Sequence, residues 1–300
     1  MKIVFVAILL FICQFCFSQK IERLKSDKEV LQFVYWLYKQ ELDSGKNIKD
    51  KPLGKYLEDS CKTLYNSLNI KYWDKADFDN NGKMDLLFNG YYYGALSIIA
   101  MQFSNDSFAI HHLSIFSRNY CRLPKVIRQN STYLISLYQS YPDLNSNGWN
   151  TIQRTDTLIY KYDNFIEENA NIQTHKIEKI EFSVGHCYGP CPVFKLNIDS
   201  SGKVAYNAIA NNREEGNFSG SITISEYTSI VNALNYIQFP LLKDKYTVSW
   251  TDSQTSTTIV TYDGGKTKKI VDYGEIGTFG LSSIYKKIFA LRYSTAWKKN

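Results

Sequence analysis

Three hundred residues, 44% hydrophobic and 21% charged, are ample for a sizeable core and exclude wholesale disorder. The formal charge of +6 comes largely from lysines scattered along the chain, and no Lys/Arg run of the nucleic-acid-binding kind is present. The 23 tyrosines suit half-buried β surfaces; a stacking surface for sugars or peptides is the functional alternative.

The first stretch reads as a secretory leader. Lys2 gives a positive start, Ile3 to Phe15 is almost wholly apolar, and Cys16-Phe17-Ser18 places small side chains before Gln19. Residues 1–18 are therefore expected to be removed, and the mature chain to be exported to a periplasmic or extracellular compartment. The apolar run is short for a membrane span, and no later segment resembles one. A lipoprotein cut is disfavoured because Ile12 and Phe15, not small residues, precede Cys13 and Cys16.

Ser26-Asp27-Lys28-Glu29 forms a capping box for a helix running to about Leu42, with Val30, Phe33, Val34 and Leu37 as its buried stripe. Gly45-Lys46-Asn47 breaks it. Pro52 opens a second helix with Leu53, Leu57, Cys61, Leu64 and Leu68 on one face. From Tyr72 the pattern changes to short strands, at Met84–Phe88, Gly94–Phe103, Phe108–Ile115, Tyr133–Tyr138 and Thr157–Tyr162. Asn105-Asp106 and Asn147-Gly148 supply turns between them. The expectation is an antiparallel sheet packed against two helices, an α+β unit spanning 19–172.

Within it, Asp77-Phe78-Asp79-Asn80-Asn81-Gly82-Lys83-Met84-Asp85 repeats the first nine positions of a calcium loop. Asp77, Asp79, Asn81 and Asp85 offer side-chain oxygens, Lys83 its carbonyl, and Gly82 the sharp bend. Phe88 stands where an EF-hand has its closing glutamate, so the loop instead resembles the Asp-x-Asp-x-Asn-Gly-x-x-Asp-Leu loops of repeat proteins such as integrin-type propellers. One copy does not make a propeller. The alternative is a polar turn whose aspartates cap backbone amides. Calcium is the only cofactor anticipated.

Polar residues Glu167–Gln173 carry no clear period, and the second unit, 173–300, is placed after them. Ile177–Val184 and Phe194–Ile198 alternate strictly, and Asp199-Ser200-Ser201-Gly202 turns the chain into Lys203–Ile209. Ser225 is the expected cap of a helix buried through Tyr227, Ile230, Val231, Leu234 and Ile237. A hairpin, Thr257–Tyr262 with Thr267–Tyr273, closes through Asp263-Gly264-Gly265. A last helix from about Thr278 buries Leu281, Ile284, Tyr285, Ile288 and Phe289. This order again suits an antiparallel sheet with two helices on one face.

Loss of Cys13 and Cys16 with the leader leaves Cys61, Cys121, Cys187 and Cys191 in an oxidising compartment. Cys187–Cys191 is the cheapest closure, and Cys61–Cys121 is the expected second bridge; a buried free thiol at Cys61 is the alternative. Between the close pair, Gly189-Pro190 allows a tight reversal, and Pro192 removes a donor where the next strand begins. The whole stretch is Cys187-Tyr188-Gly189-Pro190-Cys191-Pro192-Val193-Phe194. With Gly202, Tyr246, Thr251-Asp252 and Asp272-Tyr273, it makes residues 176–297 resemble a bacterial domain family of unknown function found in secreted proteins. That resemblance implies a fold unit and a compartment, not a reaction.

Cys-x-x-x-Cys-Pro also resembles the motif of thioredoxin-fold copper-delivery proteins, with His186, His175 or His111-His112 as the further ligand. The period-two pattern after Cys191 opposes that fold. The favoured function is a non-catalytic binding or structural protein of the cell envelope, with a protein, peptide or glycan partner. An envelope copper- or zinc-handling or thiol protein using Cys187 and Cys191 is the first alternative. A hydrolase with dispersed carboxylates such as Asp252 and Asp272 is the second.

Overall fold

The structure, a computed structural model, describes residues 20–42, 48–49, 52–55, 57–92, 95–114, 121–142 and 150–300. The predicted leader at 1–18, the break Gly45-Lys46-Asn47, the turn Asn147-Gly148, and the strand ends Gly94 and Ile115 lie outside these residues.

Helix α1 (Asp27–Leu42) starts as its capping box requires. The Ser26 hydroxyl accepts from the Glu29 amide at 3.4 Å, and the Glu29 carboxylate accepts from the Ser26 and Lys25 amides at 3.0 and 2.7 Å. Val30, Phe33, Val34 and Leu37 are all buried. After β1 (Ile48–Lys49), the second predicted helix divides in two. Pro52 closes a tight turn by accepting the Lys55 amide at 3.1 Å, and α2 (Asp59–Ser67) begins only after Glu58. Gly54 lets the chain fold back, since a side chain there would strike the Tyr65 ring at 2.7 Å.

The strands that follow are β2 (Trp73–Ala76), β3 (Asp85–Tyr92), β4 (Ala95–Gln102), β5 (Phe108–His112), β6 (Cys121–Gln129), β7 (Thr132–Pro142), β8 (Thr151–Lys161) and β9 (Asn164–Glu167). They form two sheets, not the single one expected: β1-β3-β4-β5 with β2 on β3, and β6-β7-β8-β9. The reason lies in β4, which is buried on both faces from Leu96 to Gln102. Leu96, Ile98 and Ala100 pack under α1, while Ile99 and Met101 meet Ile135, Leu137, Leu158 and Phe165 of the second sheet. A strand apolar on both sides needs two covers. The layers are therefore helix, sheet, sheet.

The C-terminal strands are β10 (Ile177–Val184), β11 (Val193–Asp199), β12 (Lys203–Ala210) and β13 (Gly216–Ser221), followed by α3 (Ile224–Tyr236). Then come β14 (Lys245–Tyr246), β15 (Thr255–Tyr262), β16 (Lys266–Tyr273), α4 (Phe279–Ser294) and β17 (Lys298–Lys299). They make one eight-stranded sheet in the order β14-β16-β15-β10-β11-β12-β13-β17, antiparallel except for β14 on β16. Leu234 of α3 and Leu281, Ile284 and Ile288 of α4 share one core with Ile180, Phe182, Phe194, Leu196 and Ile198. The cap of α3 is Thr223 rather than Ser225. Thr223 and Glu226 exchange both bonds of a capping box, at 3.2 and 2.8 Å.

The chain is thus α+β, built mostly of antiparallel sheet with four α-helices among the described residues. Helix α4 touches both halves. Its first amides, on Phe279 and Gly280, donate to the two oxygens of Glu167 at 2.7 and 2.9 Å, and Lys287 pairs with Asp163 at 3.1 Å. No described helix is long and apolar enough to cross a membrane.

Candidate functional site

The 77–85 loop joins β2 to β3, so the sheet fixes both of its ends. Asn80 and Gly82 take left-handed backbone angles, φ 56° and 82°, and the space beside Gly82 is open; glycine is there for the angle. Asp77 accepts the Asn81 and Gly82 amides at 3.0 and 2.9 Å. Asp79 accepts from the Asn81 amide and side chain at 3.2 and 2.9 Å. Asn81 in turn accepts the Lys83 amide at 2.7 Å and donates to the Gln102 carbonyl at 2.9 Å. Asp85 is fully buried and receives the Phe78 and Gln102 amides at 2.9 and 2.8 Å.

One oxygen from each of Asp77, Asp79 and Asp85 lies within 4.8 Å of the others. Burial, opposed by the two amides and helped by Asp79 and Asp77, pushes the Asp85 carboxyl up to about 7. Burial likewise raises Asp79. Crowded carboxylates that resist ionisation are what a hard divalent cation would relieve. Lys83, named for its carbonyl, sends its ammonium outward to Asp106 and the Ser104 carbonyl, at 2.5 and 3.0 Å. It does not neutralise the triad.

The second predicted site is the turn between β10 and β11. Cys187 and Cys191 are bonded to each other, with Cα atoms 5.9 Å apart. The turn is braced from outside: the Gln254 side-chain amide donates to the Gly185 and Pro192 carbonyls, both at 2.7 Å, and the Tyr188 amide donates to the Asp252 carbonyl at 3.0 Å. Asn211 holds the Cys191 carbonyl at 3.0 Å. Tyr188 stands 88% exposed at the tip. The other bridge, Cys61–Cys121, ties α2 to β6 with Cα atoms 5.7 Å apart.

The histidines do not gather at this turn. His186 is exposed beside it, while His175 bonds Asp263 at 2.6 Å at the opposite end of β10. His111 is buried against Asn164, and His112 lies beside it on β5. Nor are Asp252 and Asp272 brought together. Asp252 is exposed on the brace, whereas Asp272 is buried, accepting the Gly277 amide at 2.9 Å and the Tyr285 hydroxyl at 3.3 Å.

Asp272 keeps company instead with Glu275, which accepts from the Ser256 hydroxyl. Burial raises both carboxyls, and the charge on Asp272 raises Glu275 further. Glu275 carries no spacing pattern that marks it. The nearby Gly277 was the one available signal, since a side chain there would meet Asp272 at 2.8 Å and the Tyr246 ring at 2.9 Å.

No curated protein and no solved structure matches the chain. A family model described as a domain of unknown function, DUF6438, matches residues 178–292, which run from β10 through most of α4 and take in the cysteine turn, its brace and the Asp272–Glu275 pair.

Proposed function

We propose that the chain is an exported, non-catalytic binding or structural protein of the cell envelope, divided near residue 172 and stiffened by two disulfides and a calcium ion. The two disulfides are the observation that carries this reading, because cytosolic thiols are kept reduced. The leader-like residues 1–18 agree with it. The partner on this reading is an envelope protein, a peptide or a glycan, not nucleic acid.

Calcium would sit among Asp77, Asp79 and Asp85, with Asn81 and the Lys83 carbonyl completing the oxygen set. Supporting it are the crowding of the three carboxylates and the raised Asp85 carboxyl.

Mass spectrometry of natively exported protein, trapped with a thiol-blocking reagent, tests the reading. A chain beginning at Gln19 with both bridges intact is expected. A retained leader, or free thiols at Cys187 and Cys191, would sink it and favour metal or thiol chemistry. Calorimetric titration tests the ion: a Kd on the order of 10⁻⁴–10⁻³ M and a raised Tm are expected. No heat with millimolar calcium leaves only a polar turn.

A further inference from the structure

Helices α3 and α4 cover one face of the C-terminal sheet and leave the other open. Along β12, Val204, Tyr206 and Ala208 are buried in the shared core, while Lys203, Ala205, Asn207 and Ile209 between them are exposed. The buried faces of β10, β11, β15 and β16 alternate in the same way, so the outer face is largely polar. Strand register lines up residues that are far apart in sequence. One row crosses the strands from Lys269 through Glu181 and Asn197 to Ser219 and Lys298, roughly 30 Å at the usual strand spacing. The next row, about 7 Å along the strands, runs from Lys245 through Thr257, Ser183 and Lys195 to Asn207.

This register gathers charge that the sequence scatters. Lys179, Lys195, Lys203, Lys245, Lys269 and Lys298 all face outward and are exposed, against only Glu181 and Asp199. Both acids are engaged: Glu181 pairs with Lys179 at 2.9 Å, and Asp199 accepts the Ser201 and Lys203 amides at 2.8 and 3.1 Å. Lys195, Lys245, Lys269 and Lys298 pair with no carboxylate among the described residues. Between these ammonium groups stand the short amides and hydroxyls of Ser183, Asn197, Asn207 and Thr257, whose side chains have no hydrogen-bond partner among the described residues. A surface of this kind complements a chain that carries both anions and hydroxyls. Neither row holds an aromatic ring on which a nucleobase could stack. The short side chains keep the face shallow, whereas a peptide strand is read through side-chain pockets.

We propose that the open face of the C-terminal sheet binds a linear acidic polysaccharide laid across the strands. Its carboxylates meet the lysines, and its hydroxyls meet the amides and hydroxyls between them. The inference rests on the binding-protein reading and deepens it by choosing a glycan as the partner. The leader, thiol and calcium tests of that reading are read on other residues, so either can fail alone.

The test titrates the full mature chain, in calcium-free buffer, with alginate oligosaccharides, with the same oligosaccharides reduced at their carboxylates, and with poly-glutamate. Alginate is expected to bind, and more weakly as salt screens the lysines; the reduced form is expected not to bind. Lys195→Gln/Lys269→Gln should weaken alginate about tenfold, the scale of two exposed ion pairs. Lys28→Gln/Lys62→Gln, the same change in net charge at exposed sites on α1 and α2, should leave the affinity unchanged. Asn197→Leu should weaken alginate without altering its salt dependence. No alginate binding, equal losses in the two double variants, or poly-glutamate binding as tight as alginate overturns the proposal.

Discussion

His111 packs edge-on to Tyr160 and Phe165, with ring centres 5.6 and 5.5 Å away. Asn164 Oδ1 already accepts the Phe165 amide and serves the ring as an acceptor, so His111 Nδ1 carries the proton and Nε2 is left buried without a partner. Burial holds its pKa at about 4, against an ordinary 6.5. Between those values the unfolded chain binds a proton that the folded chain refuses. Stability therefore rises with pH across that window, and acidification removes it by an amount on the order of 3 kcal/mol. Asp85 acts in the opposite sense: pushed up to about 7, it withdraws stability as pH rises from about 4 towards 7. The measure is thus the difference between wild type and His111→Phe in urea melts at several pH values. The variant should lose the stabilising slope below pH 6.5; parallel profiles would contradict the burial of a neutral ring. At this scale the 77–85 loop was legible, because four oxygen-bearing side chains and one glycine fall at fixed offsets. Glu275 was not, because its partners Ser256 and Asp272 reach it only through sheet pairing and a turn.

Among the elements, α4 has two caps of different origin. Thr278 accepts the Leu281 amide at 3.0 Å and was readable as a start signal. Glu167, at the end of β9, takes the Phe279 and Gly280 amides and places a negative charge at the positive end of the helix. Glu167→Gln should cost about 1 kcal/mol in denaturant unfolding, as the loss of a cap does elsewhere. An unchanged midpoint would mean that water replaces the carboxylate fully. Gly280 admits this docking, since a side chain there would meet Ile237 at 2.4 Å; Gly280→Ala should be worse than the loss of the carboxylate. Helices with a capping box and a periodic stripe were readable from the chain, as α1 shows. Strand β6 was not, because Arg122, Pro124, Lys125 and Arg128 break its pattern. It lies at a sheet edge, the place where proline is tolerated.

Over the whole molecule, the two bridges differ in what they close. Cys61–Cys121 spans 60 positions and Cys187–Cys191 only four. By loop-closure entropy the long bridge is worth about 4 kcal/mol and the short one about 2. The double substitution Cys61→Ala/Cys121→Ala should therefore lower unfolding free energy by about 2 kcal/mol more than Cys187→Ala/Cys191→Ala. Equal losses would mean that the cysteine turn is held mainly by Gln254, Asn211 and the Asp252 carbonyl. The stacking of two sheets in the first half escaped the sequence reading because the apolar run of β4 marks burial without saying what covers each face. The single C-terminal sheet was easier, since its strands alternate and its helices carry matching stripes. Glu167 has one more consequence. The segment matched by the family begins at residue 178, beyond the carboxylate that finishes its last helix. Lifted out on those borders, the unit would leave the opening amides of α4 to solvent. A relative that carries this unit alone needs an acceptor of its own at that place, or lives with a looser helix.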